Sequence, residues 1–481
     1  MMFVELVKLK FLRPITGLLL LLMLVLPACK EDEPAHPNEY VNNWIYSNMD
    51  FWYYWNSTLP TKPDKTKAPE EFFKSLLNSN DRFSWIQDNF KELQNALQGI
   101  SKEAGYELAL YRESADNNNV LAQIVYVKPN SPATNAGLQR GDLITKINNE
   151  LLTITNYQTL LGAISENHTI TYRAFDLANE QFATEQTKSL STVEYTENPN
   201  FLSKVFTYND HKIGYYVYNF FATGPTQTST QYTTEMDEIF ASFQATGITD
   251  LIIDLRFNSG GAETATTNLA SLIGKGVNAT KVFAIREYNA KVTTEIKKEP
   301  TLGEDFLTVE FLTKSQNVGD QLRNNRVYIL TGKRSASASE LLINGLRPYM
   351  DVFLIGNKTV GKNVGSITLN EDNDPNNVWG MQPIVTKSFN SLKQSDYDTG
   401  FNPQVFIEDN SFILYPLGDA RERLLNNALR EITGLTEFGR IRSTQSHGAE
   451  IGHSLDNKKR TNMLVIDPAV QKSLKELLQL N

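Results

Sequence analysis

The sequence predicts a multidomain α/β protein, and three observations carry that expectation. Its 481 residues exceed what one ordinary hydrophobic core organises. From about residue 205 to 435, strand-like apolar runs alternate with helix-like segments, the pattern of a layered α/β domain. Ahead of that region lie two stretches of different character, an aromatic-rich helical one over 38–100 and a β-rich one over 102–175. A composition of 41% hydrophobic and 21% charged residues is that of a folded chain, and the formal net charge of −9 argues against a nucleic-acid partner.

Residues 1–28 break the folded pattern. Lys8, Lys10 and Arg13 precede an apolar run from Gly17 to Pro27 that is too short and wrongly flanked for a transmembrane helix, so it reads as an export signal. The run ends in Leu26-Pro27-Ala28-Cys29, which resembles the lipobox of bacterial lipoproteins; the resemblance implies that Cys29 is lipidated and holds the chain to a membrane. Residues 29–37 then form an acidic tether. Its Lys30-Glu31-Asp32-Glu33 is similar to the segment after the cysteine in Bacteroidetes lipoproteins sent to the cell surface, which implies a cell-envelope location, at the outer membrane and surface-exposed. Cys29 is the only cysteine, so no intrachain disulfide can form.

Between Val41 and Leu59 stand Trp44, Tyr46, Phe51, Trp52, Tyr53, Tyr54 and Trp55, and Phe72 to Leu97 has helical apolar spacing; residues 38–100 are expected to be a small helical domain whose aromatics pack on a neighbour. From Val120 the pattern turns strand-like. The run Ser131-Pro132-Ala133, then Ala136-Gly137-Leu138, Gly141-Asp142 and Ile144 to Asn148 resembles a PDZ domain, placed over 102–175. Such domains take up peptide ends by strand addition, with loop amides receiving the terminal carboxylate. By resemblance, Gly105, Tyr106, Glu107 and Leu108 are the candidate peptide-binding loop, although it carries one glycine where the Gly-Leu-Gly-Phe type carries two. A purely structural PDZ domain is the alternative.

Residues 176–204 are polar and are expected to connect, as a hairpin, to the main domain over 205–435. There Lys212-Ile213 opens a strand, 232–245 suits a helix, and Thr249 to Gly261 reads as a buried strand ending in a glycine turn. A helix over 264–274, a strand from Arg326, a helix from Ala338 and a strand from Val352 follow. Arg421 onward predicts a helix closed by Gly434 as its C-cap. The tail over 436–481 carries no assigned role, and its Val470–Leu480 stretch suits a short helix.

Chemistry is concentrated in three places. Ser335-Ala336-Ser337-Ala338-Ser339-Glu340 follows a strand and opens a helix, where small side chains and free amides suit a nucleophilic hydroxyl and a developing oxyanion. Thr359-Val360-Gly361-Lys362 follows the next strand and offers a base, provided burial lowers the lysine pKa. Asp254-Leu255-Arg256-Phe257-Asn258-Ser259-Gly260-Gly261 lets backbone approach a substrate closely. Together these segments resemble the carboxyl-terminal processing (tail-specific) serine peptidases. That resemblance, which covers about 38–435, implies a crotonase-like α/β peptidase core with the PDZ-like and small helical domains around it. It also implies an endopeptidase acting on polypeptides with Ser337 as nucleophile, Lys362 as general base, and backbone amides of Gly260 or Gly261 and of Ala338 as the oxyanion hole. Asp254, Arg256 and Asn258 are expected to brace the turn. Relatives often place a glutamine four residues after the lysine; here Ser366 stands there, and it or another group would orient Lys362.

The five histidines make no metal pattern, and no metal or other cofactor is expected. His211 opens the first strand of the main domain and reads as a strand-start polar residue rather than a base. A rival from another class is a surface lipoprotein that binds peptides without cleaving them. A hydrogen bond from a buried Lys362 to Ser337 favours the enzyme, and a separation well beyond hydrogen-bond reach in every state favours the scaffold.

Overall fold

The computed structural model describes residues 37–298, 304–436, 438–439, 446–458 and 463–466. The export signal, Cys29, most of the tether and the Val470–Leu480 stretch lie outside the described residues.

The main domain is built on two six-stranded sheets. In the first, Asn200–Tyr208 pairs antiparallel with His211–Tyr218, and from there Asp250–Asp254, Arg326–Thr331, Asp351–Gly356 and Val405–Phe406 continue in parallel. Strand alternation sorts its side chains between two cores. Tyr216, Tyr218, Leu251 and Ile253 face the helices Gln231–Thr246, Glu263–Ile273 and Ala338–Leu346, while Tyr215, Val217 and Ile252 meet Leu424, Leu425 and Leu429 of the helix Arg423–Thr433. That last helix ends at Gly434 in left-handed conformation, the C-cap its sequence predicts.

The second sheet runs in the order Gly260–Ala262, Met463–Val465, Val364–Ser366, Ile384–Phe389, Val282–Tyr288 and Thr308–Glu310. The segment from Val378 to Val385 carries two strands: Gly380–Gln382 pairs with Trp85–Gln87 and Leu369–Asn370, and beyond Pro383 the chain turns into the second sheet. Proline has no N–H for a ladder, which accounts for the break.

In the N-terminal region, the helices Pro37–Trp52 and Pro69–Leu76 bury Ile45, Met49, Trp52, Tyr53, Phe72 and Phe73 against Tyr288, Val292, Ile296 and Met381 of the main domain. The aromatic stripe is therefore a docking surface, as packing alone would dictate. The PDZ-like sheet runs Gln186–Leu190, His168–Arg173, Leu143–Ile147, Val120–Val127, Tyr106–Arg112 and Glu450–His453, with the helix Tyr157–Ala163 across it. Two of these strands come from segments the sequence assigned elsewhere: Gln186–Leu190 from the expected connecting hairpin and Glu450–His453 from the tail. Arg140, from the Gly-Leu-x-x-Gly-Asp run, holds Val125 O of its own sheet (2.5 Å) and locks the PDZ-like unit to the main domain through Tyr415 O (2.9 Å) and Glu422 (3.3 Å).

Candidate active site

Ser337 precedes the helix Ala338–Leu346 at the C-terminal end of Arg326–Thr331. Its backbone sits at φ 61°, ψ −109°, an uncommon conformation for a residue with a side chain. Three contacts hold the turn. The Ser337 N–H donates to Glu340 Oε2 (2.8 Å), the Ser335 hydroxyl to Leu255 O (2.7 Å), and the Ser339 hydroxyl to Asn258 O (2.9 Å). The Ser337 hydroxyl itself is buried and makes no hydrogen bond. Ala338 occupies the first helical position, where an N–H has no intrahelical acceptor.

The glycine turn is braced from below. Asn258 donates to Tyr218 O (2.8 Å) and accepts from Gly260 N–H (2.9 Å). The Gly260 amide is thus engaged by Asn258, and Gly261 is laddered to the strand Met463–Val465. Gly261 cannot be replaced freely: φ is 139°, and a Cβ there would stand 2.0 Å from Phe221 O. Arg256 is buried among Asp254 (2.8 Å), Asp409 (3.1 Å) and Glu422 (2.5 Å), and the Tyr215 hydroxyl donates to Asp254 (2.7 Å). These side chains fasten the turn to the sheet and to the N-cap of Arg423–Thr433, where Glu422 also accepts from Leu425 N–H.

Lys362 is 1% exposed, with its ammonium 5.1 Å from the centre of the Phe83 ring. Burial pulls its pKa down to about 7, against the opposing pull of Asp81 and Glu340. The two halves of the site meet at one carboxylate. Glu340 Oε2 accepts from both Ser337 N–H (2.8 Å) and Lys362 N–H (2.8 Å), while Oε1 accepts from Gly361 N–H (2.7 Å) and the Thr359 hydroxyl (2.5 Å). Burial pushes the Glu340 carboxyl above its usual range, and these four donors hold it down.

Residues 212–394 match the profile of peptidase family S41, residues 40–85 that of the peptidase S41 N-terminal domain, and residues 123–173 that of a PDZ domain. The chain belongs to peptidase family S41. A putative S41 protease from Bacteroides fragilis shares its fold at a TM-score of 0.66 and 27% identity, over 82% of this chain and 98% of that one. Probable CtpA-like serine proteases of Staphylococcus saprophyticus and Staphylococcus epidermidis are 24% and 22% identical over 250 and 340 residues, which are 51% and 69% of this chain. The chain spans 43% and 61% of the length of those two relatives.

Within this S41 chain, Ser337 and Lys362 are brought together at Glu340 without a hydrogen bond from the Ser337 hydroxyl, and other expected residues are placed differently. The Ser366 hydroxyl donates to Leu464 O (3.2 Å), so its observed hydrogen bond is to the tail rather than to the lysine it was expected to orient. In the PDZ-like loop, Leu108 N–H donates to Ser454 Oγ (2.8 Å), and that hydroxyl donates to Glu107. The Tyr106 hydroxyl bonds His168 (2.7 Å), and Gly105, at φ 89°, packs on Ser131. His211 bonds Asp250 (2.8 Å) at the opposite end of the parallel strands from Ser337.

Sequence reasoning missed two contributors. Glu340 is visible only as the last letter of a motif, and three of its four donors come from a loop about twenty residues downstream. The segment Asp81–Ser84 carries no pattern, yet Arg82 donates to Gly361 O (2.7 Å) and Phe83 covers Lys362.

Proposed function

We propose that this chain is a serine endopeptidase working through a Ser337/Lys362 dyad. One observation carries the reading: a lysine buried until its pKa lies about 7, tied through a shared carboxylate oxygen to a serine held in an uncommon backbone conformation. Near neutral pH a substantial share of Lys362 is then unprotonated and able to act as a base. Its Nζ lone pair takes the Ser337 hydroxyl proton as Oγ bonds to the peptide carbonyl carbon. The carbonyl oxygen becomes an oxyanion facing the Ala338 and Gly261 amides. As the C–N bond breaks, the Lys362 ammonium returns the proton to the leaving amine. Water, deprotonated by the same lysine, then bonds to the acyl carbon, and as the bond to Ser337 Oγ breaks the ammonium returns that proton to Oγ, freeing the acid and restoring the dyad.

The PDZ-like domain's part is recognition of an extended peptide by strand addition at the edge of Tyr106–Arg112 that Glu450–His453 covers. Membrane attachment through Cys29 at the outer surface of the cell envelope is the accompanying proposal, supported by the Leu26–Cys29 motif. Radiolabelled fatty acid should enter the wild-type protein in cells and not Cys29→Ala; equal labelling of both excludes the anchor.

Digestion of an unfolded polypeptide by the wild-type chain and by Ser337→Ala and Lys362→Ala tests the dyad. Loss of new amino termini with both variants is the expected result. Cleavage that persists in either variant overturns the assignment of that residue.

A further inference from the structure

The described parts of the C-terminal segment occupy two places where a substrate peptide would be expected. Resting on the peptidase reading above, we propose that this segment is an intramolecular ligand that keeps the enzyme latent, and that substrate reaches Ser337 only when the segment is displaced.

At the first place, Glu450–His453 adds to the outer edge of Tyr106–Arg112 as an antiparallel strand, with Glu450 opposite Tyr111 and His453 opposite Ala109. The helix Tyr157–Ala163 forms the other wall. The Tyr157 hydroxyl donates to Ile451 O (3.1 Å), and Gly452 lies so close to the ring that a Cβ would sit 2.9 Å from it. This is strand addition to a sheet edge beside a helix, the mode by which such domains hold peptides. The strand runs toward the loop expected to receive a carboxylate, but there the chain continues. Ser454 takes the Leu108 amide, and Lys458 pairs with Glu103 and with Glu107 (3.2 Å). Burial would push the Glu107 carboxyl up, but Lys458 and Lys128 hold it below its usual range. A loop built around two buried carboxylates suits a lysine-bearing internal segment rather than a free carboxylate end.

At the second place, Met463–Val465 lies between Gly260–Ala262 and Val364–Ser366, parallel to both. Gly261, the candidate oxyanion donor, is in register with Leu464. Ile466 N–H donates to Ser366 O (3.1 Å) and Leu464 O accepts from the Ser366 hydroxyl (3.2 Å). Leu464 and Ile466 are 1% exposed and Val465 8%, while Ser337 is fully buried. The same segment clasps the nucleophile loop: Arg334, three residues before Ser337, pairs with Glu450 (2.6 Å) and Asp456 (2.7 Å). A strand slot filled by consecutive Leu, Val and Ile defines the class of peptide it admits once vacated, an extended stretch with apolar side chains on both faces.

Two opposite changes in the chain from residue 30 onward, which lacks Cys29, test this. Ser454→Ala with Lys458→Glu sets a carboxylate against Glu103 and Glu107 and should release the segment. Ala109→Cys with His453→Cys should lock it under oxidation. Amide hydrogen exchange over 450–466 reports its position and hydrolysis of an unfolded polypeptide reports access. Because a tethered ligand acts at high effective concentration, release should speed both exchange and hydrolysis, the latter roughly tenfold or more. The oxidised lock should be less active than wild type and recover on reduction. Faster exchange with unchanged or reduced hydrolysis, or a lock as active oxidised as reduced, overturns latency and makes the segment a structural strand. No hydrolysis by any form, with exchange showing the segment released, overturns the peptidase reading itself.

Discussion

The serine side and the lysine side of the site are held in different ways. Ser337 is fixed by neighbours within the parallel sheet and its helix: Leu255, Asn258 and Glu340 supply the contacts, and all belong to the main domain. Lys362 shares Glu340 but is otherwise enclosed by residues from far along the chain. Phe83 and Asp81 come from the N-terminal region, and the strand carrying Ser366 is laddered to the C-terminal segment. The Ser337 geometry is thus a property of the core, whereas the Lys362 pKa depends also on how the N-terminal region docks.

The largest expected effect sharpens the first half of that contrast. Ser337→Ala should lower hydrolysis by about 10³-fold or more, with melting temperature nearly unchanged because its hydroxyl makes no hydrogen bond. Parallel loss of stability would mean that the side chain has a structural role. Glu340→Ala should breach both halves at once. Four buried donors lose their acceptor, costing about 3–5 kcal/mol in denaturant unfolding and about 10²-fold in rate. If its rate matches that of the wild type once folded protein is counted, Glu340 does not position the dyad.

Smaller effects test the lysine side alone. Because Asp81 raises the Lys362 pKa, Asp81→Asn should move the pH–rate midpoint lower. Phe83→Ala should admit water, relieve desolvation and move it higher. Each should change the rate at any one pH by less than about tenfold. An unmoved midpoint in both variants would show that the N-terminal region leaves the base untouched. Ser366→Ala is expected to be the mildest, leaving the midpoint in place and weakening the tail's hold by about 1 kcal/mol, seen as faster exchange at Leu464–Ile466.

What the sequence made legible follows the same division. The strand ending at Asp254, the Gly260-Gly261 turn, the small-residue helix start at Ser337 and the Gly361-Lys362 loop are local patterns, each with its own turn or period. The lysine's enclosure is assembled from segments distant in sequence. Asp81-Arg82-Phe83 has no periodicity, and Met463-Leu464-Val465-Ile466 is too short an apolar run to assign to any sheet. Ser366 illustrates the limit at one residue. Its position four after the lysine suggested a partner for Lys362, and only the placement of the tail strand directs its hydroxyl to Leu464 O.

The central claim is that Lys362, buried and unprotonated, is the base for Ser337. The most direct test is kcat/KM for an unfolded polypeptide from about pH 5 to pH 9, in the tail-released chain and in its Lys362→Ala derivative. A base must lose its proton to act, so the rate should climb through a midpoint of about 7 and then level off, and the derivative should lose both the rate and the inflection. A profile flat across neutral pH, or an inflection that survives in Lys362→Ala, would contradict the claim.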